Sequence, residues 1–295
     1  MKKTIIALFS ALVVALPSFI NAKSGFTMWQ LPAMEDNIGN SYVFLTDKGK
    51  VVVMDGGRYQ EDFYLRGFLA ALGNEVEAWF VSHPHDDHMG ALTKILENPK
   101  GLKIKKLYHS CFSESLIDCE KPYNDYARRF YAAVDSVEKL GQLQVENLTE
   151  PGFTGKIDGM NFKVLGVTNE EFRTNPYNNS SMIVRVWDKD KSIVFLGDAG
   201  AECGDKVLES EFRPDLDCDY LQVSHHGQAG CSEKFYKTVK FKACLWPTGT
   251  WVWTNDFGAG PGTGTLKTAE TRRWMDEIGI KEHHVSCLEG LFMLK

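Results

Sequence analysis

The sequence predicts an α/β domain assembled from two similar halves, and three observations carry that prediction. Short apolar runs of strand length alternate with stretches whose apolar residues recur at helical spacing. A faint internal repeat joins the halves. Asp55 precedes His83 by 28 positions and Asp198 precedes His225 by 27, each interval reading apolar strand, Asp, Gly, helix, apolar strand, Ser-His. No Pro/Gly/Ser linker or low-complexity tract divides the chain, and 43% hydrophobic residues can fill a sizeable core, so residues 23–295 are expected to form one domain.

The elements follow in order. Met1-Lys2-Lys3, an apolar stretch from Thr4 to Ile20 and then Asn21-Ala22 read as a secretory signal peptide over residues 1–22. Its apolar core is short for a bilayer span and is broken by Pro17, so no membrane anchor is expected after cleavage. Strands are expected at Tyr42 to Leu45, Val51 to Met54, Ala78 to Val81, Lys105 to Tyr108, Phe162 to Val167, Met182 to Trp187 and Ile193 to Leu196. Asp188-Lys189-Asp190-Lys191 makes a hairpin turn. One helix carries Tyr64, Phe68 and Leu72 and stops at Gly73; another follows from Met89 to Leu96. A third spans Pro122 to Leu140 with a core stripe of Tyr126, Phe130, Val134 and Val137, and a last one runs from Thr265 to Ile278. His283 and His284 fall on a terminal strand in structural roles, and Gly258 to Gly264 reads as a mobile surface segment.

The chemistry concentrates in Ser82-His83-Pro84-His85-Asp86-Asp87-His88. Extended backbone sends residues i and i+2 to one side, so His83 and His85 can grip one cation while Asp87 and His88, past the turn, face a second. Imidazole nitrogen with one hard oxygen suits zinc.

This H-x-H-x-D-H run after a short apolar strand resembles the signature of the metallo-β-lactamase superfamily. Val52-Val53-Met54-Asp55-Gly56-Gly57 is similar to that family's first motif, Phe195-Leu196-Gly197-Asp198 to its bridging aspartate, and Val223-Ser224-His225-His226-Gly227 to its last metal histidine. Asn178-Asn179-Ser180-Ser181 with the later G-D and S-H-H-G most resembles the C-terminal hydrolase domain of competence DNA-uptake proteins and their secreted relatives. The resemblance spans residues 40–295 and implies a four-layer αββα sandwich. It also implies two metal positions: His83, His85 and Asp198 for the first, and Asp87, His88, His225 and a bridging Asp198 for the second. His226 is the alternative to His225, otherwise standing behind the ligands or donating a proton to the leaving group. Asp55 would orient the ligands from behind. One departure stands out. No histidine lies between His109 and His225, where most members place a third imidazole for the first metal; Asn178 or Asn179 falls there instead.

Other residues are candidates for lining a substrate pocket: His109, Ser181, and the tryptophans Trp251 and Trp253, which suit a stacking platform and the core equally. Seven cysteines leave at least one thiol unpaired; Cys111 with Cys119 is the favoured bridge, and Cys244 and Cys287 suit buried thiols. The formal charge is 33 − 39 = −6, and it becomes 31 − 39 = −8 once Lys2 and Lys3 leave with the signal. That balance opposes stable nucleic-acid binding. Lys103-Ile104-Lys105-Lys106 reads as the decorated outer edge of a strand.

The expected function is an exported, periplasmic or secreted zinc hydrolase with two ions, acting on a small or polymeric phosphodiester through a hydroxide between the cations, with Asp87, Asp198 and His226 serving the chemistry. A lactonase or other ester or amide hydrolase, and a metal-bearing binding module without turnover, are the alternatives. Oligomeric state is open.

Overall fold

The computed structural model describes residues 25–295, so the expected signal peptide lies outside the described residues. Two seven-stranded sheets pack face to face. The first runs, in spatial order, Phe292–Leu294, Phe26–Gln30, Ser41–Thr46, Val51–Asp55, Ala78–Phe80, Lys106–His109 and Gln144–Asn147. The second runs Glu282–Val285, Ala243–Trp246, Tyr220–Gln222, Ser192–Phe195, Ile183–Trp187, Met160–Gly166 and Thr154–Ile157.

Alternation along the strands decides what each face meets. Val52 and Met54 turn inward to the core between the sheets, together with Phe44, Phe80, Phe162, Val184 and Phe195. Val51 and Val53 turn outward to Leu65, Met89, Leu92, Ile95 and Phe130 of the helices Asp62–Ala71, Asp86–Glu97 and Asn124–Lys139. The second sheet does the same, burying Val194, Leu221 and Trp246 against Val207, Phe235 and Trp274 of the helices Ala201–Leu208, Glu233–Thr238 and Thr268–Glu277. The result is the αββα sandwich that the resemblance implied.

The internal repeat is a structural one. Each half has an antiparallel hairpin, Ser41–Thr46 with Val51–Asp55 and Ile183–Trp187 with Ser192–Phe195, whose second strand crosses through a helix to a parallel neighbour. Its register is offset by one residue from the sequence reading. The left-handed residue at the end of each strand's run is Asp55 (φ +59°), the last residue of its strand, in one half and Gly197 (φ +55°), two residues past its strand, in the other. Counted so, Asp55 to Ser82 and Gly197 to Ser224 are both 27 positions. Asp55 and Asp198 are therefore not equivalent.

Several expectations shift in detail. On helix Asp62–Ala71 the buried residues are Leu65 and Leu69, with Tyr64, Phe68 and Leu72 packed at the edge of the core. Tyr126 is exposed, and Ala127 takes its place in the stripe. All seven cysteines are free; Cys111 and Cys119, the expected bridge, are exposed thiols on either side of the short helix Glu114–Ile117, each facing a local carbonyl. Cys244 is buried, but Cys287 is half-buried on a helix. Among the described residues no helix is long and apolar enough to cross a membrane.

Candidate metal centre

The centre forms where strand ends of both sheets converge. Strand Ala78–Phe80 runs out into Val81-Ser82-His83, and His85 is the extended residue that starts helix Asp86–Glu97. Asp87 and His88 thus occupy the first helical turn rather than a loop, which aims both into the site. From the other half, the turn after Ser192–Phe195 presents Asp198. A methyl group at Gly197 would lie 2.8 Å from Ser82 Cβ and 3.0 Å from Ser181 Oγ, so only glycine lets this turn approach so closely. Gln222 braces it, accepting from Leu196 N–H at 2.7 Å and donating to Gly197 O at 3.0 Å.

Two groups of buried ligand atoms result. Those of Asp87, His88, Asp198 and His226 lie within 4.8 Å of one another, and so do those of His83, His85 and Asp198. Asp198 belongs to both. His83 Nε2 and His85 Nδ1 face each other at 2.9 Å. His226 Nε2 is 2.9 Å from Asp87 Oδ2, and His88 Nε2 is 3.1 Å from Asp198 Oδ1. Despite that proximity, Asp87 Oδ2, His88 Nε2, Asp198 Oδ1 and His226 Nε2 all lack an aligned hydrogen-bond partner. Buried polar atoms are rarely left so, and four such donor atoms converging fit a divalent cation.

The far side of each ring is held. Ser82 Oγ (3.1 Å) and Ser181 Oγ (3.3 Å) contact His83 Nδ1; Glu120 Oε2 contacts His85 Nε2 at 3.2 Å. Asp55 Oδ2 holds His88 Nδ1 at 2.8 Å, and His226 Nδ1 donates to Pro247 O at 2.6 Å. Such backing partners choose the tautomer and leave the opposite nitrogen free to ligate. Charges tune the same atoms. Burial pushes His88 and His226 down, but the Asp198 and Asp87 carboxylates, with Asp55 at His88, more than reverse it: His88 rises well above the usual imidazole range and His226 to about 10. Burial and the neighbouring His88 and His85 hold His83 far below that range. Asp87 and Asp198 resist their burial because His88 and His226 beside them favour the carboxylate, and both fall below the ordinary range.

The other candidates scatter. His225 stays outside both groups, its Nε2 3.8 Å from Asp198 Oδ2. Ser181 Oγ accepts from Asp198 N–H at 3.1 Å, tying that turn to His83. Asn179 turns away, its Oδ1 accepting from Cys203 N–H (3.0 Å) at the start of helix Ala201–Leu208. Asn178 faces the centre instead, with Nδ2 3.4 Å from His225 Nε2. His109 packs against Phe130 and Tyr131 in the helical layer. Trp253 packs on Trp246 and under Arg272, whereas Trp251 pairs at the surface with exposed Phe257. The sequence assigns no role to Glu120, and Ser82 figures in it only as the start of the metal run and of the Ser-His repeat. Ser82 is adjacent to a ligand and repeats as Ser224, a legible signal; Glu120 sits in a turn with none.

A four-layer sandwich with histidine–aspartate groups where its sheets converge defines the metallo-β-lactamase class of fold. The family model of the metallo-β-lactamase superfamily matches residues 34–118, which include Asp55 and the whole H-x-H-x-D-H run. Solved structures share the fold over nearly all of this chain. The metallo-β-lactamase fold protein YhfI from Bacillus subtilis is 12% identical, over 91% of this chain and 99% of that one, with a TM-score of 0.53. Tm1679, a metal-dependent hydrolase of the β-lactamase superfamily, is 13% identical over 92% and 98%, at 0.51. The diiron β-hydroxylase CmlA from Streptomyces venezuelae is 11% identical over 92% of this chain but 54% of its own, at 0.53. No curated protein sequence matches. The family model covers the first half of the site, and at these identities the solved structures show the fold alone.

Proposed function

We propose that this chain is a zinc-dependent phosphodiesterase with two metal positions, exported by its N-terminal signal. The single observation that carries the reading is Asp198, a buried carboxylate common to two groups of converging ligand atoms. The first position would be held by His83 Nε2, His85 Nδ1 and Asp198, and the second by Asp87, His88 Nε2, Asp198 and His226 Nε2. Mixed imidazole and carboxylate donors suit zinc. Two divalent cations there would lower the pKa of water, polarise the substrate oxygen and offset charge in an in-line displacement at phosphorus.

The chain's own residues do the rest. Asp87 and Asp198 contribute two negative charges in a buried site, which favours holding a pair of cations over one. Asp55, Glu120 and Pro247 O fix the rings, so ligand geometry needs little reorganisation on binding. The fold hosts more than one chemistry, as a hydrolase and a hydroxylase on it demonstrate, so the substrate is argued from the donor set. Two metal positions sharing the Asp198 carboxylate would suit a phosphodiester better than a single position would.

The test is turnover of bis-p-nitrophenyl phosphate by protein purified without added metal, alongside elemental analysis. Two equivalents of zinc, and turnover lost on chelation and in Asp198→Ala, are expected. Lactone opening without diester turnover, two equivalents of iron, or metal without either activity would overturn the assignment. N-terminal sequencing of exported protein is expected to begin at Lys23.

A further inference from the structure

We propose that His225 and Asn178 bind a non-bridging phosphate oxygen of the substrate, and that His225 holds no metal. The inference rests on the phosphodiesterase reading above. Five imidazoles surround the centre, and four have their far nitrogen held by a serine, a carboxylate or a carbonyl. His225 does not: its Nδ1 is buried without a partner. Nothing selects its tautomer for ligation, and its ring belongs to neither group of ligand atoms.

The backbone explains the division of labour between the two adjacent histidines. His225 (φ +51°), His226 (φ +55°) and Gly227 (φ +88°) are successive left-handed residues. Two non-glycine residues in that region are strained, and such strain concentrates where side chains must be aimed. Here it turns the His226 ring inward, fully buried, while the His225 side chain keeps 17% exposure at the mouth of the centre. His225 N–H donates to Gly197 O at 3.1 Å, which holds the strained turn against the one that presents Asp198.

Asn178 completes the pair. It is 3% exposed, its Nδ2 lies 3.4 Å from His225 Nε2, and its Oδ1 is buried without a partner. Its neighbour Asn179 spends its amide on the helix start, so the Asn-Asn pair splits into one structural and one site-facing side chain. A neutral imidazole and an amide can each donate or accept, so the pair can turn N–H groups toward an anionic oxygen with no change of ionisation. Hydrogen bonds to a charged oxygen are stronger than the long contact the two share without it.

The experiment measures metal content and the binding of inorganic phosphate to metal-loaded protein, with bis-p-nitrophenyl phosphate as substrate, for His225→Ala, His225→Gly and Asn178→Ala. Glycine is unstrained at a left-handed position, so His225→Gly keeps the fold even where alanine harms it. The expected result is two metal equivalents in every variant, phosphate affinity at least tenfold weaker, and a raised KM. A variant that loses one metal equivalent makes its residue a ligand and overturns the inference. So does phosphate binding equal to wild type. Wild-type protein that holds two metals yet neither cleaves the diester nor binds phosphate sinks the phosphodiesterase reading itself.

Discussion

Replacing Asp55 by asparagine changes one atom and should cost metal affinity more than its size suggests. The buried carboxylate accepts four hydrogen bonds: Ser82 N–H to Oδ1 at 2.7 Å, and Asn40 Nδ2 (2.6 Å), Ser82 Oγ (2.9 Å) and His88 Nδ1 (2.8 Å) to Oδ2. An amide placed there keeps the first with its oxygen. Its NH2 then meets the Asn40 amide and the His88 N–H, two donors against a donor. Unsatisfied buried groups cost about 1–3 kcal/mol each, so these two conflicts should cost the fold about 2–6 kcal/mol once the Ser82 hydroxyl has rotated to accept. His88 can relieve its own conflict by moving its proton from Nδ1 to Nε2. That proton then covers the nitrogen facing Asp198, and ligation requires restoring the clash. Loss of such a backing partner lowers metal affinity about 10–100-fold, or about 1.4–2.7 kcal/mol. Competition against a chromophoric chelator measures the affinity, and thermal unfolding measures the fold. A folded Asp55→Asn protein that binds metal within a factor of two of wild type would refute the argument that Asp55 sets the His88 tautomer.

Three further outcomes are expected. Glu120→Ala frees His85 Nε2 and should weaken one of two metal equivalents about tenfold or more, with Glu120→Gln intermediate because its oxygen can still accept; equal loss of both equivalents on chelator titration would count against it. Gly197→Ala puts a methyl group against Ser82 and Ser181 at a left-handed residue and should lower stability by about 2–4 kcal/mol, read as a lower melting midpoint and reduced metal uptake. Burial pulls the His109 pKa down to about 4. The unfolded chain takes up this proton below about pH 6.5 and the folded chain only near 4, so the stability His109 contributes is full above 6.5 and is lost as pH falls towards 4, about 3 kcal/mol in all. With chelator present, wild type should lose about 2 kcal/mol more than His109→Gln between pH 7 and pH 5 in denaturant unfolding; parallel losses would contradict it.

Much of the architecture was legible because its signals are local. The apolar run Val51 to Met54 and the helical stripe at Phe130, Val134 and Val137 are patterns within one stretch of chain, and each lies in the strand or helix expected of it. The terminal strands Phe26–Gln30 and Phe292–Leu294 carried no such signal. Phe292–Leu294 is held as a strand by pairing with Phe26–Gln30, across nearly the whole chain, and Phe26–Gln30 pairs in turn with Ser41–Thr46. The Cys111–Cys119 bridge failed for a related reason: short separation in sequence says nothing about whether an intervening helix holds two thiols apart.

The centre divides along the same line. H-x-H-x-D-H announces its chemistry because two backbone periods, extended at His83 and His85 and helical at Asp87 and His88, aim the side chains within six residues. Which of His225 and His226 turns inward is not a local question. Left-handed backbone at both residues is stabilised by Gly197 O on one side and Pro247 O on the other, contacts that close only when the second sheet has formed. Asn178 and Asn179 separate in the same way, one claimed by a helix start and the other left facing the site. Residue type and spacing determined that this chain carries the means to hold cations; the packing of two sheets decided which nitrogen, of which ring, from which half.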